Sequence, residues 1–410
     1  MILSPPLRAA SFVRLTLPTL ACVAGEPSGD LLAASSLQVL KQIPTMAGLE
    51  IYGIGGPLMQ AQGLKSMWPM ETLSVRGYVE ALKQLPAILR VRKALLNDLL
   101  GAKRPYVFLG VDAPDFNLGV EEKLRAAGIP TVHFISPSIW AWRGSRIKKI
   151  KRAVDHMLCI FPFEKAIYEA AGIQATYVGH PLASAIPLEP NVPAARARLF
   201  SIDPSLQNLM TAQVVAVLPG SRTSEIDLIA PVFFATMPVL AQQLKGESPI
   251  FVVPIAAPHL KPALERLRLE TLAQHPQLQI HLLDGQADLI LEAADVVLIA
   301  SGTATLQAAL WKKPMVISYR VPWLTAQVMK RQAYLPYVGL PNILCGEFVV
   351  PELLQSQAKP QGLAKAMLDW LQHPDKVATL QQRFTALHNE LRRPTALLVA
   401  QVLAEMISKR

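Results

Sequence analysis

The chain has only three cysteines in 410 residues, Cys22, Cys159 and Cys345, far apart and each flanked by apolar or small residues. No pair has metal-ligand spacing, and an odd number argues against a disulfide framework. They read as buried thiols in a reducing compartment. Charged residues are also sparse, 17% against 51% hydrophobic, with a mean hydropathy of +0.30. Even so, no uninterrupted apolar run reaches bilayer length, which predicts a soluble chain that keeps some apolar surface exposed. There is no short-period repeat and no low-complexity tract, so solenoids and disordered arrays are excluded.

What is present is length, positive charge and alternation. A chain this long favours two or three domains with ample core. The net charge of +10 and a pI near 9.5 suit anionic partners: nucleic acid, phosphorylated metabolites or an acidic membrane surface. The first 25 residues carry Arg8 and Arg14 and no acid, which resembles a targeting segment. TLACVAG runs straight into GEPSGD, however, so it reads as a first core strand after a short tail, in a cytoplasmic protein.

Strand-like runs alternate with helical patterns throughout: TLACVAG, LEIYGIGG, YVFLGVD, PTVHFIS, MLCIF and ATYVGH, then VVAVLPGS, IFVVPIA, LQIHLLD, VVLIAS and PMVISYRV. Such alternation predicts an α/β fold with parallel, doubly wound sheets. The Pro-rich stretch LASAIPLEPNVPAARARLFSIDP marks a linker. We therefore expect Rossmann-like domains over residues 1–185 and 186–350 and a helical tail over 351–410.

Chemistry is expected where strands end. VFLGVDAPDFN places Asp112 and Asp115 just after an apolar run. Asp115 reads as a helix cap and Asp112 as the chemical group, because a carboxylate at a strand end needs a partner or a task. GEPSGD follows the first strand; Gly25 and Gly29 allow a tight turn, and Ser28 and Asp30 can cap a helix from Leu31. A simple strand-to-helix turn explains this segment equally well. GIGGPLM has Leu58 where a dinucleotide fingerprint needs its third glycine.

LPGSRTSEI brings Gly220, Ser221 and Arg222 to a helix mouth, and the fork of Arg donors suits a diphosphate. ASGTATLQAAL repeats the logic, with Ser301, Gly302, Thr303 and Ala304 forming a phosphate cradle. No Asp has another Asp two positions away, so the metal-holding D-x-D triplet of many sugar-nucleotide enzymes is missing. Without a metal, Arg222 and helix N-termini must stabilise a leaving diphosphate.

SPSIWAWRGSRIKKIKR combines Trp140 and Trp142 with six Lys or Arg from Arg143 to Arg152. Nucleic acid, anionic lipid and a plain solvated basic face all fit that composition. In VEALKQLPAILRVRKALLNDLL, Leu82, Leu85, Ile88 and Leu89 lie among Lys83, Arg90, Arg92 and Lys93, as in an amphipathic core helix or an interfacial one.

Read in order, AGEPSGD, GIGGPLMQAQG, GVDAPDFN, SPSIWAWR, FPFEK, YVGHPL, LPGSR, LLDG, ASGTATL, YRV and LPNIL resemble the bacterial lipid A disaccharide synthases, glycosyltransferases of the GT-B type. The resemblance runs from about Ala24 to Leu344. It implies two Rossmann-like domains facing a central cleft. The implied reaction joins UDP-2,3-diacylglucosamine to the 6-hydroxyl of 2,3-diacylglucosamine 1-phosphate (lipid X), with inversion and release of UDP. It also implies no cofactor, no metal and no nucleic-acid partner, peripheral attachment to the anionic cytoplasmic face of the inner membrane, and room for a homo-oligomer. The essential Asp of the family falls on Asp112 and its important Arg on Arg222. Gly220, Ser221, Ser301, Gly302, Thr303, Ala304, Gln307 and Asn342 inherit nucleotide contacts. Gly25, Glu26, Ser28, Gly29, Asp30, Asn117 and Trp140 are expected on the acceptor side or in the cleft. The chain departs from the family pattern at Gln307, where many members have Glu facing the ribose, and at Ser184, where relatives often have Asp. Sugar-nucleotide epimerases and other GT-B enzymes are the alternative on sequence grounds.

Overall fold

The computed structural model describes residues 17–73, 78–141, 144–206, 208–244, 248–323, 325–327 and 334–409, with backbone only for 78–83. Contacts divide the chain into two units, Met1–Pro137 with Ser145–Val178 and Pro394–Arg410, and Ser138–Gly144 with Gly179–Arg393.

The first unit is built on seven parallel strands: β1 (Thr19–Ala24), β2 (Glu50–Ile54), β3 (Leu64–Ser66), β4 (Val107–Val111), β5 (Thr131–Phe134), β6 (His156–Cys159) and β7 (Gln174–Tyr177). Their order is β3-β2-β1-β4-β5-β6-β7. Every residue of β4 is buried, and so is β1 beyond Thr19, so both faces are covered and the strands read as unbroken apolar runs. β1 lies between β2 and β4, and the winding reverses there, opening a crevice outside the ends of β1 and β4.

The second unit repeats the plan with six strands: β8 (Val214–Leu218), β9 (Ile250–Ile255), β10 (Gln279–Asp284), β11 (Val296–Ala300), β12 (Met315–Tyr319) and β13 (Glu352–Leu354). The order β10-β9-β8-β11-β12-β13 puts the reversal between β8 and β11. All eleven runs read from the sequence are strands. β3 and β13, of three residues each, are too short to show a period and were not foreseen.

The boundaries differ from those expected. Helix Pro181–Ala185 belongs to the second unit, where the His388 ring donates from Nε2 to the carbonyl of Ala183 at 2.8 Å. Lys312 reaches His388 Nδ1 at 2.6 Å and the carbonyl of Pro187 at 3.3 Å, so the chain after residue 179 is fastened on that side. The stretch 351–410 is not a separate tail. β13 extends the second sheet, helix Pro360–Gln372 adds Leu363, Ala364 and Met367 to its core, and helix Thr395–Ser408 returns to pack on helix Pro27–Gln42 of the first unit.

Helix Thr223–Gln243, 21 residues, is long and apolar enough by length and composition to cross a membrane. It is not an uninterrupted apolar run, since Asp227, Pro231, Thr236 and Pro238 fall within it. Ile226, Ile229, Phe233, Phe234, Met237 and Leu240 bury one face in a core shared with helix Pro360–Gln372, helix Lys261–Gln274 and β11, and each such side chain contributes about 1.5–3 kcal/mol. It is the core helix of the second unit.

Candidate active site

In the first unit, the chain leaves β4 through Asp112 and Ala113, both left-handed (φ 51° and 44°). Two successive non-glycine residues in that region cost about 1–2 kcal/mol each, a strain characteristic of functional turns. The turn is held from both sides. The Asp112 N–H donates to the carbonyl of Phe134 at 2.8 Å, and Asn117 Nδ2 donates to the Asp112 carbonyl at 2.8 Å. The Asp112 side chain is half-buried, and among the described residues no group donates to its carboxylate. It is therefore an accessible carboxylate at the strand end, not a core residue.

Beside it, Gly25 ends β1 so closely that a Cβ there would lie 3.2 Å from that of Ala113. Glu26 and Ser28 are exposed at the head of helix Pro27–Gln42, while Gly29 is buried against Val111. These residues lie at the end of β1, beside the Asp112 turn.

Four expectations need correction. Asp30 caps no helix of its own: it is buried, and its carboxylate accepts from the N–H groups of Gly56, Leu58 and Met59 at 2.9–3.0 Å, closing the head of helix Pro57–Ala61. Asp115 is not the cap of helix Pro114–Ala126 either, since Ala113 holds that position; Asp115 is exposed in the first turn and pairs with Arg146. Asn117 is fully buried and ties strand ends together instead of facing a ligand. Trp140, expected on the acceptor side or in the cleft within the domain of residues 1–185, lies in Ser138–Gly144, which groups with the second unit. Trp142 and Arg143 lie outside the described residues.

In the second unit, Gly220 turns the chain after β8 at φ 124°, where any Cβ would collide with the Glu225 carboxylate. Glu225 was not singled out from the sequence. Its Oε2 accepts from the N–H groups of Ser221 (2.8 Å) and Arg222 (3.2 Å), and its Oε1 receives Arg222 Nη1 at 3.0 Å and the Tyr319 hydroxyl at 3.2 Å. The Glu three residues into the helix is the signal that could have found it. Burial and then the Glu225 carboxylate push the Tyr319 hydroxyl up, so it stays a donor. The Arg222 side chain itself is 75% exposed, a cation aimed outward from a fixed base.

Across the switch point, Ser301 follows β11 and donates to the carbonyl of Val338 at 3.0 Å. Gly302 and Thr303 are exposed, and Ala304 half-buried, at the head of helix Thr303–Leu310. Gln307, one turn further on, donates to Asp288 Oδ1 at 2.6 Å, an oxygen that also accepts Trp311 Nε1 at 2.9 Å. Asn342 is the correction here. It is fully buried, and its carboxamide is saturated by the N–H groups of Val349 and Val350, the Val350 carbonyl and Glu352. With Glu352 also accepting from Val338 and Gly339, it rivets the segment that covers the end of β13. Neither Asp288 nor Glu352 could be found from spacing, because their partners lie 10–23 residues away.

The arrangement offers a proton acceptor in one unit, and a cation with free helix N–H groups in the other. That is the equipment for moving a group off a diphosphate. Among the described residues no three His, Cys, Asp or Glu side chains form a metal-holding group.

Comparison with known proteins agrees. A profile of the lipid-A-disaccharide synthetase family matches residues 20–407. A lipid-A-disaccharide synthase from Paraburkholderia phytofirmans is 56% identical over 391 residues, covering 95% of this chain and 96% of the relative. One from Burkholderia vietnamiensis is 54% identical over 401 residues, covering 97% and 99%. Among solved structures, MurG from Acinetobacter baumannii superposes with a TM-score of 0.54 at 13% identity, over 96% of this chain and 100% of that one. A UDP-GlcNAc 2-epimerase from Neisseria meningitidis does so with a TM-score of 0.58 at 12% identity, over 96% and 100%. These last two share the fold alone, so the epimerase reading gains nothing from them. With its two doubly wound units and this match along nearly its whole length, the chain belongs to the lipid-A-disaccharide synthase family, GT-B glycosyltransferases of lipid A biosynthesis.

Proposed function

We propose that the chain transfers 2,3-diacylglucosamine from UDP-2,3-diacylglucosamine to the 6-hydroxyl of lipid X, inverting the anomeric centre and releasing UDP. An α-linked donor and a β-linked product require a single displacement, for which one base is sufficient. Asp112 takes the proton of the attacking hydroxyl. Arg222, steadied by Glu225, and the N–H groups at the head of helix Thr303–Leu310 hold the diphosphate as its negative charge grows. The reading is metal-independent, because the cation and the helix terminus supply the charge a divalent ion would bring. The observation that carries it is the unencumbered Asp112 carboxylate on its strained turn.

The lipid substrates place the work at a membrane surface. We assign the chain to the cytoplasmic face of the inner membrane, attached peripherally. Leu85 and Leu89, four apart on helix Tyr78–Leu100, are exposed beside Arg90 and Lys93, while Leu95 and Leu99 of the same helix enter the core. Exposed leucines flanked by cations suit an anionic headgroup layer.

Mass spectrometry of the products formed from UDP-2,3-diacylglucosamine and lipid X, with and without EDTA, tests the reaction. A disaccharide 1-phosphate and UDP in both samples support it. Failure in EDTA alone would remove the metal-independent step.

A further inference from the structure

Behind the Asp112 turn lies a buried polar group that the reaction as described does not use. Helix Pro114–Ala126 sends Asn117 and Glu121, one turn apart, toward the end of β4. Glu121 Oε1 meets His133 Nδ1 at 2.7 Å, and neither side chain has any exposed surface. His133 lies opposite Gly110 in the β4–β5 register. Gly110 and Asp112 are two apart, so His133 shares the sheet face of the Asp112 turn. Gly110 makes the room: a Cβ there would collide with Glu121 Oε1 and lie 3.0 Å from that of Asn117.

This cluster is a poor device for stability. Asn117 Oδ1, Glu121 Oε2 and His133 Nε2 are buried without a protein partner, at about 1–3 kcal/mol each. Buried ion pairs are commonly matched or bettered by apolar residues of similar volume. Its position suggests a different purpose. Asn117 grips the Asp112 carbonyl, and Phe134, next to His133 on β5, accepts the Asp112 N–H. The pair thus lies one residue from Phe134 and one helical turn from Asn117, the two residues whose bonds hold the strained turn.

We propose that Glu121 and His133 are positioning residues for Asp112, sharing one proton and turning the charge of the imidazolium toward the carboxylate. The inference rests on Asp112 being the base. Burial pushes the Glu121 carboxyl up, with His133 and Lys149 opposing. Burial acts downward on His133, but the Glu121 carboxylate, with Asp112 adding to it, outweighs this and raises the ring above its ordinary value. Both directions keep a proton on the pair. The charged groups facing it are Asp112 from the β4 turn and Lys149 from helix Ile147–Ala153.

The full-length protein is compared with Glu121→Gln, His133→Asn, the apolar double variant Glu121→Met/His133→Phe, and Asp112→Asn. In Glu121→Gln, kcat falls between roughly tenfold and a hundredfold with the KM for UDP-sugar unchanged, the size of loss that a slight misplacement produces. Its kcat–pH profile shifts so that the acidic limb lies at higher pH, because His133 without its carboxylate is neutral. The double variant melts no lower than the wild type and loses kcat similarly. In spectra of protein labelled with 15N-histidine, the signal missing from His133→Asn reports a charged ring near neutral pH, and a neutral one in Glu121→Gln. A neutral His133 in the wild type, an unmoved acidic limb, or a double variant with full kcat overturns the proposal. Normal turnover by Asp112→Asn would instead overturn the base assignment, and the His133 signal would still report on the pair.

Discussion

The two sheets reverse their winding at equivalent places, β1 with β4 and β8 with β11, and the two crevices are equipped with opposite charge. In the first, the strand ends carry Asp112, exposed Glu26 and a backbone bent into the left-handed region. In the second, they carry Arg222, hydroxyls and the open head of a helix. Their supports differ as well. The Asp112 turn is held through its backbone, leaving the carboxylate free, whereas Arg222 is held through its side chain by Glu225. A base must be free to gain a proton, and an anchor must stay charged and still. On the mechanism proposed above, the same scaffold would serve two halves of one displacement, and the difference lies in which atoms are tied down.

That division of labour can be broken at either end. The largest effect is expected from Asp112→Asn, which keeps the fold and lowers turnover by about two to four orders of magnitude, measured as disaccharide formed per minute. Arg222→Ala should lower kcat/KM for UDP-sugar by roughly a hundredfold to a thousandfold while the KM for lipid X barely moves. Equal losses for both substrates would contradict the diphosphate assignment. Asn342→Ala removes no ligand contact but strands the Val349 and Val350 N–H groups and the Val350 carbonyl. The second unit should lose about 2–4 kcal/mol, seen as a lower melting temperature and a smaller loss of activity. Gln307→Glu should act least. It places a carboxylate beside that of exposed Asp288, breaks that hydrogen bond and changes the KM for UDP-sugar by only a few fold.

Much of this was legible in the chain. Apolar runs of four to six residues gave every long strand, because a parallel sheet covered on both faces requires them. The positions of Asp112, Gly220 and Arg222 follow from the rule that polar residues after such runs lie at the ligand edge. The resemblance put Asp30, Asn117 and Asn342 at the acceptor side, the cleft or the nucleotide, but their side chains satisfy buried groups elsewhere in the chain, 26–29 residues away for Asp30. A buried amide and a ligand-facing amide look alike in sequence, and only the partners tell them apart. The boundary was misplaced for a related reason. The Pro-rich stretch after residue 185 suggested a linker, while the actual fastening is made by Lys312 and His388, more than a hundred residues further on.

The contrast between the two crevices is tested most directly by calorimetric titration of UDP into Asp112→Asn and Arg222→Ala side by side. The account predicts that the first binds UDP within about twofold of the wild type, while the second is weakened by well over tenfold, as loss of a charge-assisted contact requires. If Asp112→Asn loses UDP as severely as Arg222→Ala does, base and anchor are not separate and the assignment of roles is wrong.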